Sequence, residues 1–596
     1  IASGGVQNVC VGDEAGTAIN TGDNNVAVGY AALDANSTGS QNVAIGTNAL
    51  GVNTTANNNV AVGYNALDAN LTGTQNVAVG FSALSSNTTA NSNVAIGTNA
   101  LAANTTGANN TAVGENVMAA NTEGVNNVAL GYIALDADTL GFQSTALGYA
   151  ALSAQNFTSS TPSQNVAVGY YAGVSVTTGV NNTLIGAHAG DALTDADNNV
   201  AFGYQSLGAD TLGSESTALG KGTLTAQNFT SATDTHNTAV GYQSGNDITV
   251  GVKNTLLGSR SGDALTDADE NVGIGYATLS GDTLGSKSVA VGSGALEVQN
   301  FTSATDAYNT AVGYQSGNDI TTGTRNTIMG SLGGDALTEG GNNLVLGWNA
   351  LGADTKGSRS VALGYSALTT QNFTSATNAY NVAVGFQAGN AVTTGLTNTL
   401  VGSLCHDNLT TGDLNVALGY DTRPSAVGVD SEIVIGNSVT GAGTNTVRIG
   451  TAGGTATLGL DGSDTSWAAA SDSRLKKDVT DSTAGLEFIN DLRPITFKWN
   501  AKNEVAEDLP QHDADSSDPI FGEGKAHHGF IAQEVKAVID DHSDVLDGNN
   551  IWHEDPDGTQ QLSQGNLVPM LVKAVQELSA KIAELEAKPR CKCNGE

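Results

Sequence analysis

The sequence predicts a mainly β protein: a long parallel β-roll of about 26 rungs, followed by a small α+β domain that ends in a helix. Two observations carry this. The phrase NVAIGTNALGVNTTANN, read from Asn42, restarts every 17 residues at Asn59, Asn76, Asn93, Asn110 and Asn127. A short fixed period held over hundreds of residues means one small unit stacked many times, because a single unit cannot bury its own apolar face. The second observation is a change of composition near residue 471, where lysines, aromatics and helix-forming stretches appear.

Taken in order, the rungs start at Asn8, Asn25 and Asn42 and run to Asn127. From Ser144 a longer period appears, with Ser144, Ser216, Ser288 and Ser360 spaced by 72 residues, each block being one 21-residue rung and three of 17. The long rungs share QNFTSST or QNFTSAT, which sets Phe157, Phe229, Phe301 and Phe373 at equivalent points. Within a rung the alternation V-A-V or V-A-I reads as a short strand with one buried face, Val26 and Val28 pointing one way and Ala27 the other. Gly29 supplies a permissive corner, and a second short segment, Ala32-Leu33, precedes the polar tail. Stacking is expected to put Val on Val and Ile on Ile, with the recurrent Asn bonding to rungs above and below. At roughly 4.8 Å per rung the stack would be a rod on the order of 125 Å long. Each coil is thin, so a single chain leaves apolar surface that three chains side by side can bury.

Composition narrows the function. A net charge of −36 disfavours nucleic-acid phosphates and anionic membrane surfaces, both of which need basic patches. Cys10, Cys405, Cys591 and Cys593 are too scattered for a disulfide scaffold, and Cys591-x-Cys593 lacks the second pair of a structural zinc site, so neither metal nor cofactor is expected. No apolar run approaches the roughly 18 residues of a membrane span, so no membrane insertion is expected. Ile1 already falls inside the repeat, so the sequence is expected to be a fragment of a longer chain.

The phrase N-V-A-V/I-G with its A-L or A-G segment resembles the head repeat of trimeric autotransporter adhesins, the YadA-like head, over about residues 5–450. That resemblance implies a left-handed parallel β-roll in a three-chain bundle, a form that similar repeats take in some phage tail fibres. The family's usual repeat is shorter, so the added residues here should enlarge one outer loop per rung. Residues 1–450 are thus expected to be the β-roll and 451–470, rich in Gly, Ala and Ser, a connector with Trp467 packed on a neighbour.

Residues 471–596 carry SDSRLKKD, LRPITFKW, GFIAQEV and LVPMLVKAVQEL. Leu571, Val575, Leu578, Ile582 and Leu585 follow a heptad spacing with charged flanks, which favours a coiled coil between chains. This set of motifs resembles the C-terminal intramolecular chaperone of phage endosialidases, neck appendages and long tail fibres. The resemblance implies that the domain nucleates trimerisation and then cuts the backbone once, through a Ser–Lys pair. Carried over, Ser471 is the nucleophile, Lys476 the base, and Ala470–Ser471 the scissile bond. The chemistry is sound by itself: a hydroxyl needs a base, and a Lys serves when burial or nearby charge lowers its pKa. Without the resemblance, Ser471 and Lys476 read as a helix N-cap and a solvated charge. Ser473 and Lys477 are the nearest alternatives, with Asp472 and Arg474 structural.

Other candidates are weighed against plainer readings. The QNFTSAT loops are expected to protrude, and an exposed Phe, or Tyr308 and Tyr380, can stack on a sugar ring, with repetition adding avidity. The plainer reading makes Phe157, Phe229, Phe301 and Phe373 braces onto an adjacent chain. Asp191, Asp195 and Asp197, with Asp263, Asp267 and Asp269, lack the Gly-rich nonapeptide pattern of calcium rolls and read as turn residues. His527 and His528 are adjacent, not at ligand spacing. The expected protein is therefore a homotrimeric host-recognition fibre of a phage tail, extracellular on the virion. It would meet a cell-surface glycan or protein receptor and join other tail proteins through whatever precedes Ile1. Alternatives are a bacterial cell-surface trimeric adhesin and a polysaccharide-degrading tailspike. Against the latter, no insertion interrupts the rungs and no carboxylate pair with aromatic subsites appears.

Overall fold

The computed structural model describes residues 4–460, 468–469, 473, 476–507, 509, 511–521, 524–543, 545, 551–555 and 558–588. It divides into two compact units, Ile1–Ala470 and Ser471–Glu596.

The first unit is a parallel β-solenoid of about 26 turns. One strand per turn joins a single 28-stranded sheet. The register is the one the repeat demands: Val9 pairs with Val26, and Val26 with Val43, always one rung apart. Long rungs are absorbed without a slip, since Thr145 pairs with Val166. Their extra residues form a small side sheet, Gly141–Phe142 against Thr161–Pro162, that recurs in each block. The last turn tightens, Ile433 pairing with Val447 fourteen residues on. Of residues 451–470, read from the sequence as a connector, Gly454–Gly459 folds back antiparallel on Thr446–Thr451 and closes the stack with a hairpin.

The inside of the coil is filled by small residues. Ala27, Ala32 and Leu33 are completely buried, whereas Val26 and Val28 are only half-buried. The V-A-V alternation thus holds, but the face turned into the coil is the alanine face. In most rungs the inward place is alanine beside a turn leucine, while Leu184, Ile328 and Val345 take that same buried place elsewhere, and the flanking strand residues point outward in an unbroken uncharged stripe. The second short segment, Ala32-Leu33, lies in a turn, with Ala31 (φ +52°) and Leu33 (φ +55°) both left-handed. Gly29 at the corner has φ +132°, and a Cβ there would lie 2.7 Å from the backbone of Gly46 in the next rung. Only glycine lets the corners stack so closely.

The polar groups are satisfied by ladders. Asn42 donates its backbone N–H to Asn25 Oδ1 (3.0 Å) and its side-chain amide to the carbonyl of Ala56 (2.8 Å). The same pair of bonds recurs at Asn59, Asn76 and Asn93. A second buried ladder runs through Asn36, Asn53, Asn70, Asn87, Asn104 and Asn121. Each amide both gives and accepts, so a polar residue is held in the core with its partners supplied by identical neighbours.

The second unit is a small α+β fold. Helix α1 (Leu486–Asp491) precedes the strand Ile495–Phe497, which pairs antiparallel with His527–Gly529. Helix α2 (Ala532–Asp541) follows, then the hairpin Trp552–Glu554 with Gln560–Leu562, then the 20-residue helix α3 (Val568–Ala587). Phe488, Leu492, Val535, Ile539 and Ile551 form its core. On α3 the heptad residues Leu571, Val575, Leu578, Ile582 and Leu585 are all exposed.

Candidate functional site

The C-terminal motifs are drawn together by charge-assisted bonds. Arg493, from the LRP motif, grips the Glu534 carboxylate of the IAQEV motif through both its Nε (2.9 Å) and a terminal nitrogen. The guanidinium holds that carboxyl below its ordinary range, and the carboxylate raises the arginine in turn. Glu577, on α3, accepts the backbone N–H of Leu486 at 2.8 Å and so fixes α3 to the start of α1. His542 Nε2 lies 2.9 Å from Asp491 Oδ2, with its ring edge-on to Phe488. Sequence motifs that looked like separate phrases are thus the contact points of one fold.

The cleavage residues are placed only in part. Ala470 and Ser471 lie outside the described residues. Immediately before them Ala468–Ala469 forms a short strand on the solenoid's closing hairpin, paired with Thr457 and Ala456. Lys476 is exposed, and its backbone N–H donates to the carbonyl of Ser473 at 3.2 Å. His527 and His528 sit on one short strand, His528 Nδ1 3.2 Å from Thr496 Oγ1 and His527 against the Phe497 ring.

In the solenoid the expected aromatic contacts are corrected. Phe157, Phe229, Phe301 and Phe373 are 4–6% exposed within their own chain. They are neither surface platforms nor braces for a neighbour. The reason is a buried network that the sequence did not advertise. Asp138 Oδ1 accepts the backbone N–H groups of Gly141 (3.0 Å) and Phe157 (3.3 Å), while Oδ2 accepts the Gln155 amide (2.6 Å). Gln155 in turn accepts from Asn165. The same constellation recurs around Asp210, Asp282 and Asp354. Anchoring the Phe backbone to a core carboxylate pulls the ring down. Burial raises the carboxyls of Asp138, Asp282 and Asp354 above the usual range. The signal that could have revealed this was the strict pairing of an Asp in one rung with a Gln in the next.

The aspartates weighed for calcium also have structural partners. Asp195 accepts from Thr178 (2.6 Å), Asp197 from the backbone of Val180 (2.7 Å), and Asp191 faces His188 (2.8 Å). Among the described residues no group of three or more His, Cys, Asp or Glu side chains could hold a metal ion, and no helix is long and apolar enough to cross a membrane.

Comparison with curated proteins and with solved structures gave no match. Residues 471–544 match the family model of Peptidase S74, chaperone of endosialidase, and support a chaperone domain at the C-terminal end of this β-solenoid chain.

Proposed function

We propose that the chain is a trimeric fibre of a bacteriophage tail, extracellular on the virion, which reaches a host-cell surface. Its C-terminal chaperone would align three chains and then release itself by one cut. The observation that carries the assembly is the outward stripe of the solenoid. Each rung presents two strand residues outward, such as Val26 and Val28, Thr145 and Leu147, or Val416 and Leu418, and none of these positions is charged on any rung. A chain with a net charge of −36 that keeps one continuous face free of charge has a face suited to a second and third copy of itself. The exposed heptad residues of α3 supply a second three-stranded seam in the chaperone.

For the cut, the Lys476 amine takes the proton of the Ser471 hydroxyl, and Oγ attacks the carbonyl carbon of Ala470. The amide C–N bond breaks as its nitrogen gains a proton, leaving an ester between Ala470 and Ser471. Water hydrolyses that ester to a carboxylate at Ala470, and Ser471 keeps a free amine. One water is consumed and the cut is single-turnover. Removal of the template makes assembly irreversible.

The test is the intact mass in denaturant, beside sedimentation of the native protein. The wild type should yield a fragment ending at Ala470 and a trimeric native mass. Ser471→Ala should stay full length and still be trimeric. A wild type that remains uncut refutes the dyad, and a monomeric native mass refutes the fibre.

A further inference from the structure

In every rung the residue just before the ladder position, Gln41 in the rung read from Asn25, is left-handed; it is at φ +62° there and +59° at Lys253. Its N–H donates to the rung below, as from Lys253 to Thr235 (2.7 Å) and Arg325 to Ala307 (2.8 Å), so the side chains stack in one row. The early members, Gln41, Asn58, Gln75 and Ser92, are uncharged and exposed. The later ones are not neutral. Up to Gly220 the sequence has no Lys or Arg, and of the nine from Lys221 to Arg448 four stand in this row: Lys253, Lys287, Arg325 and Arg359. They occupy alternate rungs, hence about 10 Å apart. Between them stand Glu270, Tyr308 and Asn342, and Tyr380 follows.

We propose that this row binds a linear acidic polysaccharide charged at every second sugar. Tyr308 is 47% and Tyr380 46% exposed, and each carries a cation over its ring, Lys287 at 5.5 Å and Arg359 at 5.4 Å. An open ring beside a cation suits a pyranose carrying a carboxylate: the ring takes the C–H face and the cation takes the charge. Lys253 and Lys287 are shared with Glu270 (3.6 Å) and Asp306 (2.7 Å), but among the described residues Arg325 and Arg359 have no carboxylate within salt-bridge reach. Arg325 and Arg359 thus keep an uncompensated charge for a ligand, Arg359 giving one terminal nitrogen to the Tyr380 hydroxyl. The spacing selects among polyanions. Nucleic acid, with a phosphate at every nucleotide, is too densely charged for cations two rungs apart. The proposal rests on the fibre reading and names the host-surface chemistry it would meet. It also sets the row outside the seam between chains, since a three-fold axis holds identical cations level with one another.

The experiment is calorimetric titration of the full assembled protein with a hyaluronan oligosaccharide, one carboxylate per disaccharide, and with a neutral chitin oligosaccharide. Native mass is read on the same samples. Binding to hyaluronan alone, weakening with added salt, is expected. The variant Lys253→Gln/Lys287→Gln/Arg325→Gln/Arg359→Gln uses the residue this row carries in early rungs, so it should remain trimeric and bind at least ten-fold more weakly. Tyr308→Gln/Tyr380→Gln should lose several-fold without changing the salt dependence. Absence of hyaluronan binding, equal binding of the neutral sugar, or unchanged binding by the quadruple variant overturns the proposal. So does loss of the trimer in that variant, which would make the row a chain-to-chain contact. A monomeric wild type that binds hyaluronan would instead sink the fibre reading and leave the row's ligand standing.

Discussion

The rung read from Asn25 and the rung read from Asn182 share a backbone and fill it differently. In the first, Ala27, Leu33 and Asn36 line the interior; in the second the same three places hold Leu184, Gly190 and Leu193. A Cβ on Gly190 would lie 2.7 Å from Leu184 and 2.8 Å from Leu193, so the strand leucine and the tail leucine occupy the space that Leu33 fills from the turn. Volume is conserved while its source moves. The ladder through Asn42 does not move, although Leu193 stands in the place of Asn36: the Asn182 N–H bonds to Asn165 Oδ1 (2.8 Å) and its amide to the Ala196 carbonyl (2.7 Å), as Asn42 does with Asn25 and Ala56. The comparison teaches that the ladder specifies the coil and the apolar residues only have to fill it.

The largest effect should follow from breaking what the two regions share. Asn59→Ala removes the acceptor for the Asn76 N–H and the donor to the Gly73 carbonyl, both 2.9 Å and both buried. Two orphaned buried groups cost about 4 kcal/mol. Asn182→Ala should cost as much. Urea unfolding by circular dichroism, with hydrogen exchange of the flanking rungs, measures both. A much smaller loss at Asn182 would mean that the ladder specifies only the early rungs.

Next comes what they do not share. Leu184→Ala leaves a cavity worth about 3 kcal/mol, and Gly190→Leu overpacks the rung by about 2 kcal/mol. Combined, they restore two of the three Asn25 places, with Leu193 still standing where Asn36 does, so the double variant should be more stable than Leu184→Ala alone and adding Leu193→Asn completes the pattern. Additive losses in the double-mutant cycle would show that the two fillings are not interchangeable.

A third filling sharpens the comparison. His406 holds the Leu33 position near the end of the solenoid, fully buried, its Nε2 without a partner. Burial lowers its pKa from 6.5 to about 4, against the opposing pull of the Thr422 carbonyl and Glu432. Above pH 6.5 the ring is neutral folded or unfolded and pH has no effect through it. Between 6.5 and about 4 only the unfolded chain takes the proton, so stability falls as pH falls, and below 4 the loss is complete at about 3 kcal/mol. Hydrogen exchange of the rungs around His406 should accelerate over that window in the wild type and not in His406→Leu. Equal acceleration in both would place the acid sensitivity elsewhere.

Much of this fold was legible because period and register are the same fact: residues 17 apart must pair, and Val26 does pair with Val43. Alternation alone could not say which face turns inward, since V-A-V reads alike both ways, and the inward place takes alanine in most rungs and Leu184 or Val345 in others. Nor could it place Ala31 and Leu33 at positive φ, where ordinary propensity argues against any residue but glycine, asparagine or aspartate. Phe157 misled because a large apolar residue in a polar loop looks exposed until the Asp138 carboxylate that anchors its backbone is seen. The chaperone motifs were readable as phrases, and Arg493 with Glu534 shows why they travel together.

The smallest effect tests that left-handed turn directly. The place of Ala31 is held in the four long rungs by Ala150, Gly222, Gly294 and Ser366, at φ +53°, +66°, +69° and +51°. Around Gly222 there is room, for a Cβ would find nothing nearer than Gln243 at 3.5 Å. Gly222→Ala therefore changes backbone energy and little else. The left-handed conformation costs an alanine about 1–2 kcal/mol, and the stiffer unfolded chain returns about half of that. A net loss of about 0.5–1 kcal/mol should appear in urea unfolding. The reverse change, Ala150→Gly, should gain less than Gly222→Ala loses, because the Ala150 methyl is buried at 1% exposure and its packing is forfeited. If Gly222→Ala proves neutral, the turn is held so firmly by the stacked rungs that the residue's own backbone preference no longer counts there, which the volume exchange between Leu33 and Gly190 does not by itself require.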